Sequence, residues 1–102
     1  NGLPYGASKG GIAQLTRGMA EAWSRPGTGI TANAIAPGFF KTQLTAPLFD
    51  KPKVVEALAR QTTMNRVGFA EDIQGLTMFL ASPASGYITG QVIHIDGGWT
   101  AI

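Results

Sequence analysis

The chain has 102 residues, 44% of them hydrophobic and 14% charged, with a formal net charge of +2 and no cysteine. That length holds one domain at most; the lack of cysteine excludes disulfides and thiolate metal sites, and scattered Lys and Arg argue against nucleic-acid binding. No apolar run approaches the ~20 residues needed to cross a bilayer, so a soluble, cytoplasmic protein with no membrane partner is expected. The opening Asn1-Gly2-Leu3-Pro4 has no initiating methionine and no targeting signal, and it leads directly into a helix-like segment, so a piece of a longer chain is expected.

From Tyr5 to about Ser24, Ile12, Leu15, Met19 and Trp23 recur at helical spacing and predict a long amphipathic helix. Near its start, Tyr5 and Lys9 stand four residues apart, hence one turn apart on one helix face. A phenol titrates near pH ~10, too high for a base at neutral pH. An ammonium ~4 Å away, at an effective dielectric of ~20, favours the phenolate by on the order of 4 kcal/mol, enough to bring the phenol toward neutrality. The same pair also occurs on helices that do no chemistry, the tyrosine half-buried and the lysine snorkelling. Gly10-Gly11 costs about 1 kcal/mol per glycine relative to alanine inside a helix, so close approach of another helix or a ligand is expected there. Arg25-Pro26-Gly27 ends the helix.

Ile30 to Ala36 is short, mostly apolar and lacks alternation, as in a strand covered on both faces of a parallel sheet. Asn33 interrupts it and is expected to bond a neighbouring backbone. Pro37-Gly38 follows at the strand's carboxyl end, where open α/β sheets bind ligands. From Phe39 to about Lys51 a long apolar connection reads as a lid or binding loop. Pro52 suits a helix start, with Val54, Val55, Leu58 and Ala59 as a stripe that ends near Thr62 or Thr63; with the preceding loop it makes a flap over about 39–63.

Met64 to Gly68 reads as a loop, and Glu71 and Asp72 open a helix over about Ala70 to Leu80, with Ile73, Leu76, Phe79 and Leu80 on its apolar face. Arg66 is either a substrate-binding cation or an ion-pair and carbonyl-bonding residue. Ser82-Pro83 ends this helix, Thr89-Gly90 makes a turn, and Gln91 to Ile95 is a second strand. His94 is given a structural role, having no nucleophile or metal partner nearby in sequence. Asp96-Gly97-Gly98 is a glycine-permitted turn in which Asp96 bonds nearby backbone. Strand, flap, helix, strand is a parallel crossover unit.

Taken together, Tyr5-Gly-Ala-Ser-Lys9, Asn33-Ala-Ile-Ala-Pro37-Gly38-Phe-Phe-Lys-Thr42, Arg66-Val-Gly68, Thr89-Gly90 and Asp96-Gly97-Gly98 resemble, in order, the C-terminal part of a short-chain dehydrogenase/reductase. The resemblance spans nearly the whole chain. It implies an α/β fold, the C-terminal half of a Rossmann-type doubly wound parallel sheet, as one partial domain over residues 1–102. It implies NAD or NADP as cofactor and a small-molecule alcohol or ketone as substrate. By that resemblance Tyr5 exchanges a proton with the substrate oxygen, and Lys9 lowers its pKa and bonds the nicotinamide ribose. Pro37 and Gly38 form a floor under the nicotinamide, Gly38 because backbone must approach the ligand closely. Phe40, where the family usually has Ile or Val, offers backbone to the carboxamide, and Thr42 bonds it through its hydroxyl.

The family's glycine-rich pyrophosphate turn, its NAD/NADP-selecting residue, its catalytic serine and its supporting asparagine all precede its tyrosine. Ala70 stands where the family often has proline. The flap from Lys41 to Asp50 looks most like members that oxidise sugar acids such as gluconate, with a 3-oxoacyl thioester as the alternative substrate class. The family also builds subunit contacts from the first helix and from the last helix and strand, which implies a homodimer or homotetramer. A competing reading is an interaction module, in which Leu15, Met19 and Trp23 pack on a partner helix without catalysis.

Overall fold

The computed structural model describes residues 2–41 and 46–101, and side chains from residue 10 onward. The elements are α1 (Gly2–Trp23), β1 (Ala34–Pro37), α2 (Ala46–Phe49), α3 (Pro52–Ala59), α4 (Ala70–Leu80) and β2 (Val92–Ile95), with short 3₁₀ turns at Pro83–Ser85 and Trp99–Ala101. β1 and β2 form a two-stranded parallel pair: the Ala34 N–H donates to Gln91 O at 2.8 Å and the Gly38 N–H to Ile95 O at 3.2 Å, both partners advancing together along the chain. The architecture is thus the expected α/β one, two parallel strands with helices between and before them. The chain divides into two units, Asn1–Ile35 with Phe79–Ile93, and Ala36–Met78 with His94–Ile102.

In the first unit α1 runs as expected, but its sheltered face is not the large apolar stripe. Thr16 and Ala20 are buried, whereas Ile12, Leu15 and Trp23 are 48%, 63% and 51% exposed. Small side chains win because they permit close approach. A Cβ on Gly90, whose φ is +75°, would lie 3.4 Å from Ala20 Cβ. Thr16 can be buried because its hydroxyl donates to Ile12 O at 2.7 Å, leaving no unpaired polar group. Gly10 and Gly11 do not serve close packing among the described residues, since a Cβ at either would meet open space.

The first strand is shorter than expected, beginning at Ala34 instead of Ile30. The preceding residues are held by side chains in place of a ladder. The Ala32 N–H donates to Thr89 Oγ1 at 3.0 Å, Thr89 Oγ1 also pairs with Ser24 Oγ at 2.7 Å, and Ala32 O accepts from the Gly90 N–H at 2.7 Å. Asn33 does what a polar residue there was expected to do. Its Nδ2 donates to Ile88 O at 3.0 Å and its Oδ1 accepts from the Gln91 N–H at 3.1 Å, filling both ends of the amide with backbone.

In the second unit the connection after β1 contains a single helical turn, α2, absent from the sequence-based expectation. α3 starts with Pro52 in its first turn, where the missing N–H costs nothing. It ends at Ala59, earlier than expected. There Thr62 turns the chain, its N–H and its hydroxyl both donating to Ala59 O, at 3.0 and 2.9 Å. α4 spans the expected residues, with Ile73, Leu76 and Leu80 half-buried and Phe79 exposed. No helix among the described residues is long and apolar enough to cross a membrane.

Candidate active site

Tyr5 and Lys9 lie on α1, one turn apart along its backbone; their side chains, and Thr42, are outside the described residues. The remaining expected site residues belong to the second unit and gather at the carboxyl end of β1. Pro37, the last residue of the strand, is exposed. Gly38 is required here by a protein neighbour: a Cβ on it would sit 2.7 Å from Asp96 Cβ and 2.9 Å from Asp96 Cα. The close approach expected of a ligand is therefore already made by the turn after β2, a constraint that neither motif reveals alone. Two glycine-bearing turns at the carboxyl ends of paired strands were the available signal.

Asp96 organises that turn. Its Oδ1 accepts from the Gly98 N–H at 3.0 Å, and its Oδ2 accepts from the Thr100 N–H at 3.3 Å and the Thr100 hydroxyl at 2.8 Å. Burial pushes the Asp96 carboxyl up, but the bonds from Thr100 and Gly98 outweigh it, with His94 pulling the same way, and leave it below the usual carboxylate range. Asp96 is thus a backbone-bonding residue, as its turn context implied. His94 is exposed on β2, and no group of three or more metal-ligating side chains occurs among the described residues.

Phe40 pairs with Gly68 in an isolated parallel bridge that sequence reasoning missed. The Gly68 N–H donates to Phe39 O at 2.8 Å and Gly68 O accepts from the Lys41 N–H at 3.3 Å. In a parallel bridge, one residue that bonds both neighbours of another leaves that other residue's own N–H and C=O aimed to the opposite side. Phe40 is that other residue. The Phe39 and Trp99 rings meet at 4.9 Å, tilted by 42°. A cavity of about 230 Å³, walled by Phe39, Phe40, Met64 and Ile95 with Arg66, Asp72 and Asp96, lies below the ~300–1,000 Å³ usual for ligand pockets.

Arg66 is an ion-pair residue. Its Nη1 donates to Asp72 Oδ2 at 2.9 Å and its Nη2 to Asp72 Oδ1 at 3.0 Å, the fork geometry that suits a guanidinium and a carboxylate. Nη1 also donates to Val67 O at 3.1 Å. The Asp72 carboxyl is lowered to about 2, first by the Arg66 hydrogen bond and then by the Phe69 N–H, and the guanidinium is raised by the same partner.

An exposed proline ring closes the first strand at its carboxyl end, the end at which open α/β sheets bind ligands. The parallel strand pair and its helices define an α/β protein of the doubly wound class.

Residues 1–100 match the family described as enoyl-(acyl carrier protein) reductase, and the chain belongs to the short-chain dehydrogenase/reductase family. It is 46% identical over 100 residues to a tropinone reductase homologue of Arabidopsis thaliana, covering 98% of this chain and 37% of that protein. It is 41% identical over 97 residues to gluconate 5-dehydrogenase of Gluconobacter oxydans, covering 95% and 37%. Among solved structures it resembles a gluconate 5-dehydrogenase of Burkholderia cenocepacia in complex with NADP and tartrate, with a TM-score of 0.83 and 40% identity over 98% of this chain and 38% of that one. The chain thus spans a little over a third of the length of the relatives it matches.

Proposed function

We propose that this chain forms the proton-relay and nicotinamide-bedding part of an NAD(P)-dependent oxidoreductase that interconverts a secondary alcohol and a ketone. The observation that carries the reading is the occurrence, in a short-chain dehydrogenase/reductase, of Tyr5 and Lys9 one turn apart on α1 together with an exposed Pro37 at the carboxyl end of β1. When bound, the nicotinamide supplies the hydride chemistry. Pro37 would lie under its ring, and Phe40 and Thr42 would be the residues beside its amide. Tyr5, its phenolate favoured by the Lys9 ammonium, takes the proton from the substrate hydroxyl as the alcohol is oxidised and returns it to the carbonyl oxygen on reduction. Lys9 would also donate to the nicotinamide ribose hydroxyls.

The substrate class proposed is a sugar acid such as gluconate. Its support is the flap from Lys41 to Asp50 and the likeness to gluconate 5-dehydrogenases. The test is steady-state turnover by the full-length protein with NAD or NADP on gluconate and on a 3-oxoacyl thioester, for wild type, Tyr5→Phe and Lys9→Met. Loss of a general acid/base is worth about 10²–10⁴ in kcat, and Tyr5→Phe is expected to lose at least that much, with Lys9→Met also falling and shifting the pH profile upward. Near-wild-type turnover by both variants would refute the assignment.

The exposed Ile12, Leu15 and Trp23 on α1 favour a second property, self-association of two copies through this helix, since apolar side chains at helical spacing are a contact face. Sedimentation of the full-length protein tests it: a monomer at high concentration would exclude it.

A further inference from the structure

We infer that Asp96 is a positioning residue for the nicotinamide floor: its carboxylate fixes the turn over residues 96–100, and that turn sets where the Gly38 backbone lies. The inference rests on the nicotinamide-dependent reading above and goes beyond it, because Asp96 and Thr100 need touch no ligand.

The turn meets the floor through its main chain. A Cβ on Gly38 would lie 2.9 Å from Asp96 Cα and 2.7 Å from Asp96 Cβ, with Asp96 O at 3.4 Å; none of these atoms is a side-chain tip that can swing aside. The Gly38 N–H donates to Ile95 O at 3.2 Å, so Gly38 is bonded to one residue and packed on the next. One residue further on, the Phe39 and Trp99 rings meet at 4.9 Å. A shift of the Asp96 main chain is therefore passed directly to Gly38 and to its neighbour Pro37, the exposed end of β1.

The Asp96 main chain is held in its place by the carboxylate of the same residue. Gly97 and Gly98 take φ of +63° and +93°, a region that glycine enters freely without being confined to it, so the shape of the turn has to come from bonds. Asp96 accepts three of them, from the Gly98 N–H at 3.0 Å, the Thr100 N–H at 3.3 Å and the Thr100 hydroxyl at 2.8 Å. Bonds to an ionised acceptor are roughly twice as strong as neutral ones. From outside, Gly97 O accepts from the Met64 N–H at 2.9 Å and Gly98 O from the Thr63 hydroxyl at 3.2 Å. With the glycines tied to residues 63 and 64, the slack left by a missing carboxylate is taken up where Asp96 meets Gly38.

The test is calorimetric binding to the full-length protein of NAD(P)H and of ADP-ribose or its 2′-phosphate, which lack the nicotinamide ring. Asp96→Ala is expected to weaken NAD(P)H about tenfold, the worth of one well-made contact, and the ringless ligand by less than about twofold. Thr100→Val, which removes one donor to the carboxylate, should weaken NAD(P)H about threefold. Thr100→Ser should bind like wild type, and Thr100→Val should add nothing in the Asp96→Ala background, since Thr100 acts through Asp96. The Thr100 variants carry the test if Asp96→Ala does not fold. Unchanged NAD(P)H binding in folded Asp96→Ala or in Thr100→Val, an equal loss for the ringless ligand, or a loss that Thr100→Ser does not restore would overturn the positioning role and leave the oxidoreductase reading standing. A wild-type protein without nicotinamide-dependent turnover would sink both.

Discussion

Each unit is held together internally, and the two do so by opposite means. In the first, polar side chains join segments far apart in the sequence: Asn33 bonds Ile88 and Gln91, and Thr89 bonds Ala32 and Ser24. In the second, glycines let backbones and rings come close: Gly38 against Asp96, Gly68 against Phe40, and Gly98 against Thr63. A joint made of hydrogen bonds fails by leaving donors and acceptors unpaired. A joint made of missing side chains fails by overpacking. The difference teaches that the second unit, which carries the candidate nicotinamide floor, is the less tolerant of added atoms.

The sharpest way to break that contrast is Gly38→Ala. The added methyl meets the Asp96 Cα as well as its Cβ, and backbone cannot swing aside as a side-chain tip can. Overpacking of this kind costs about 1–3 kcal/mol, and the upper end is expected here. Denaturant unfolding of the full-length protein measures it, and a neutral result would mean that the two strand ends are not locked by sterics. Asn33→Ala comes next. It removes a donor and an acceptor and strands Ile88 O and the Gln91 N–H, for an expected loss of about 2 kcal/mol, read by the same unfolding curves. A loss equal to that of Gly38→Ala would erase the ranking.

This contrast also marks what could be read in the sequence. Elements with a local cause were legible. α1 follows from helical spacing, α4 from Glu71 and Asp72 in its first turn, and the backbone-bonding roles of Asn33 and Asp96 from being polar residues among strand and turn residues. What escaped depends on partners distant in the chain. The stripe Ile12–Leu15–Met19–Trp23 has the period of a buried face, yet Thr16 and Ala20 are the buried pair, and the close approach of Ala20 to Gly90 rewards a small side chain in a way that hydrophobic periodicity does not register. The late start of β1 reflects side chains taking over ladder bonds. Gly38 was legible as a place of close approach, but the neighbour it admits, Asp96, is set by strand pairing. The Phe40–Gly68 bridge had no local signature at all. The motifs that carried the family resemblance, by contrast, needed only order and spacing.

The smallest expected effect separates the ion pair from both kinds of joint. Asp72 is held at about 2, against an ordinary value of 3.8, by Arg66 and the Phe69 N–H. A carboxyl depressed on folding contributes stability that is fully present above its unfolded value and is lost as pH falls toward its folded one. The contribution of Asp72 should therefore be constant above about pH 5 and fall progressively below it, most of it gone by about pH 2. Because the pair is partly exposed, salt and solvent screen it, so the effect should be modest and should shrink further at high ionic strength. Asp72→Asn keeps the shape but cannot form the charged fork. The stability difference between wild type and this variant, followed by unfolding from pH 6 to pH 2, should close across that window. A difference that stays constant down to pH 2 would mean that Asp72 acts through packing and not through its charge, and would put the Gly68 loop among the steric joints.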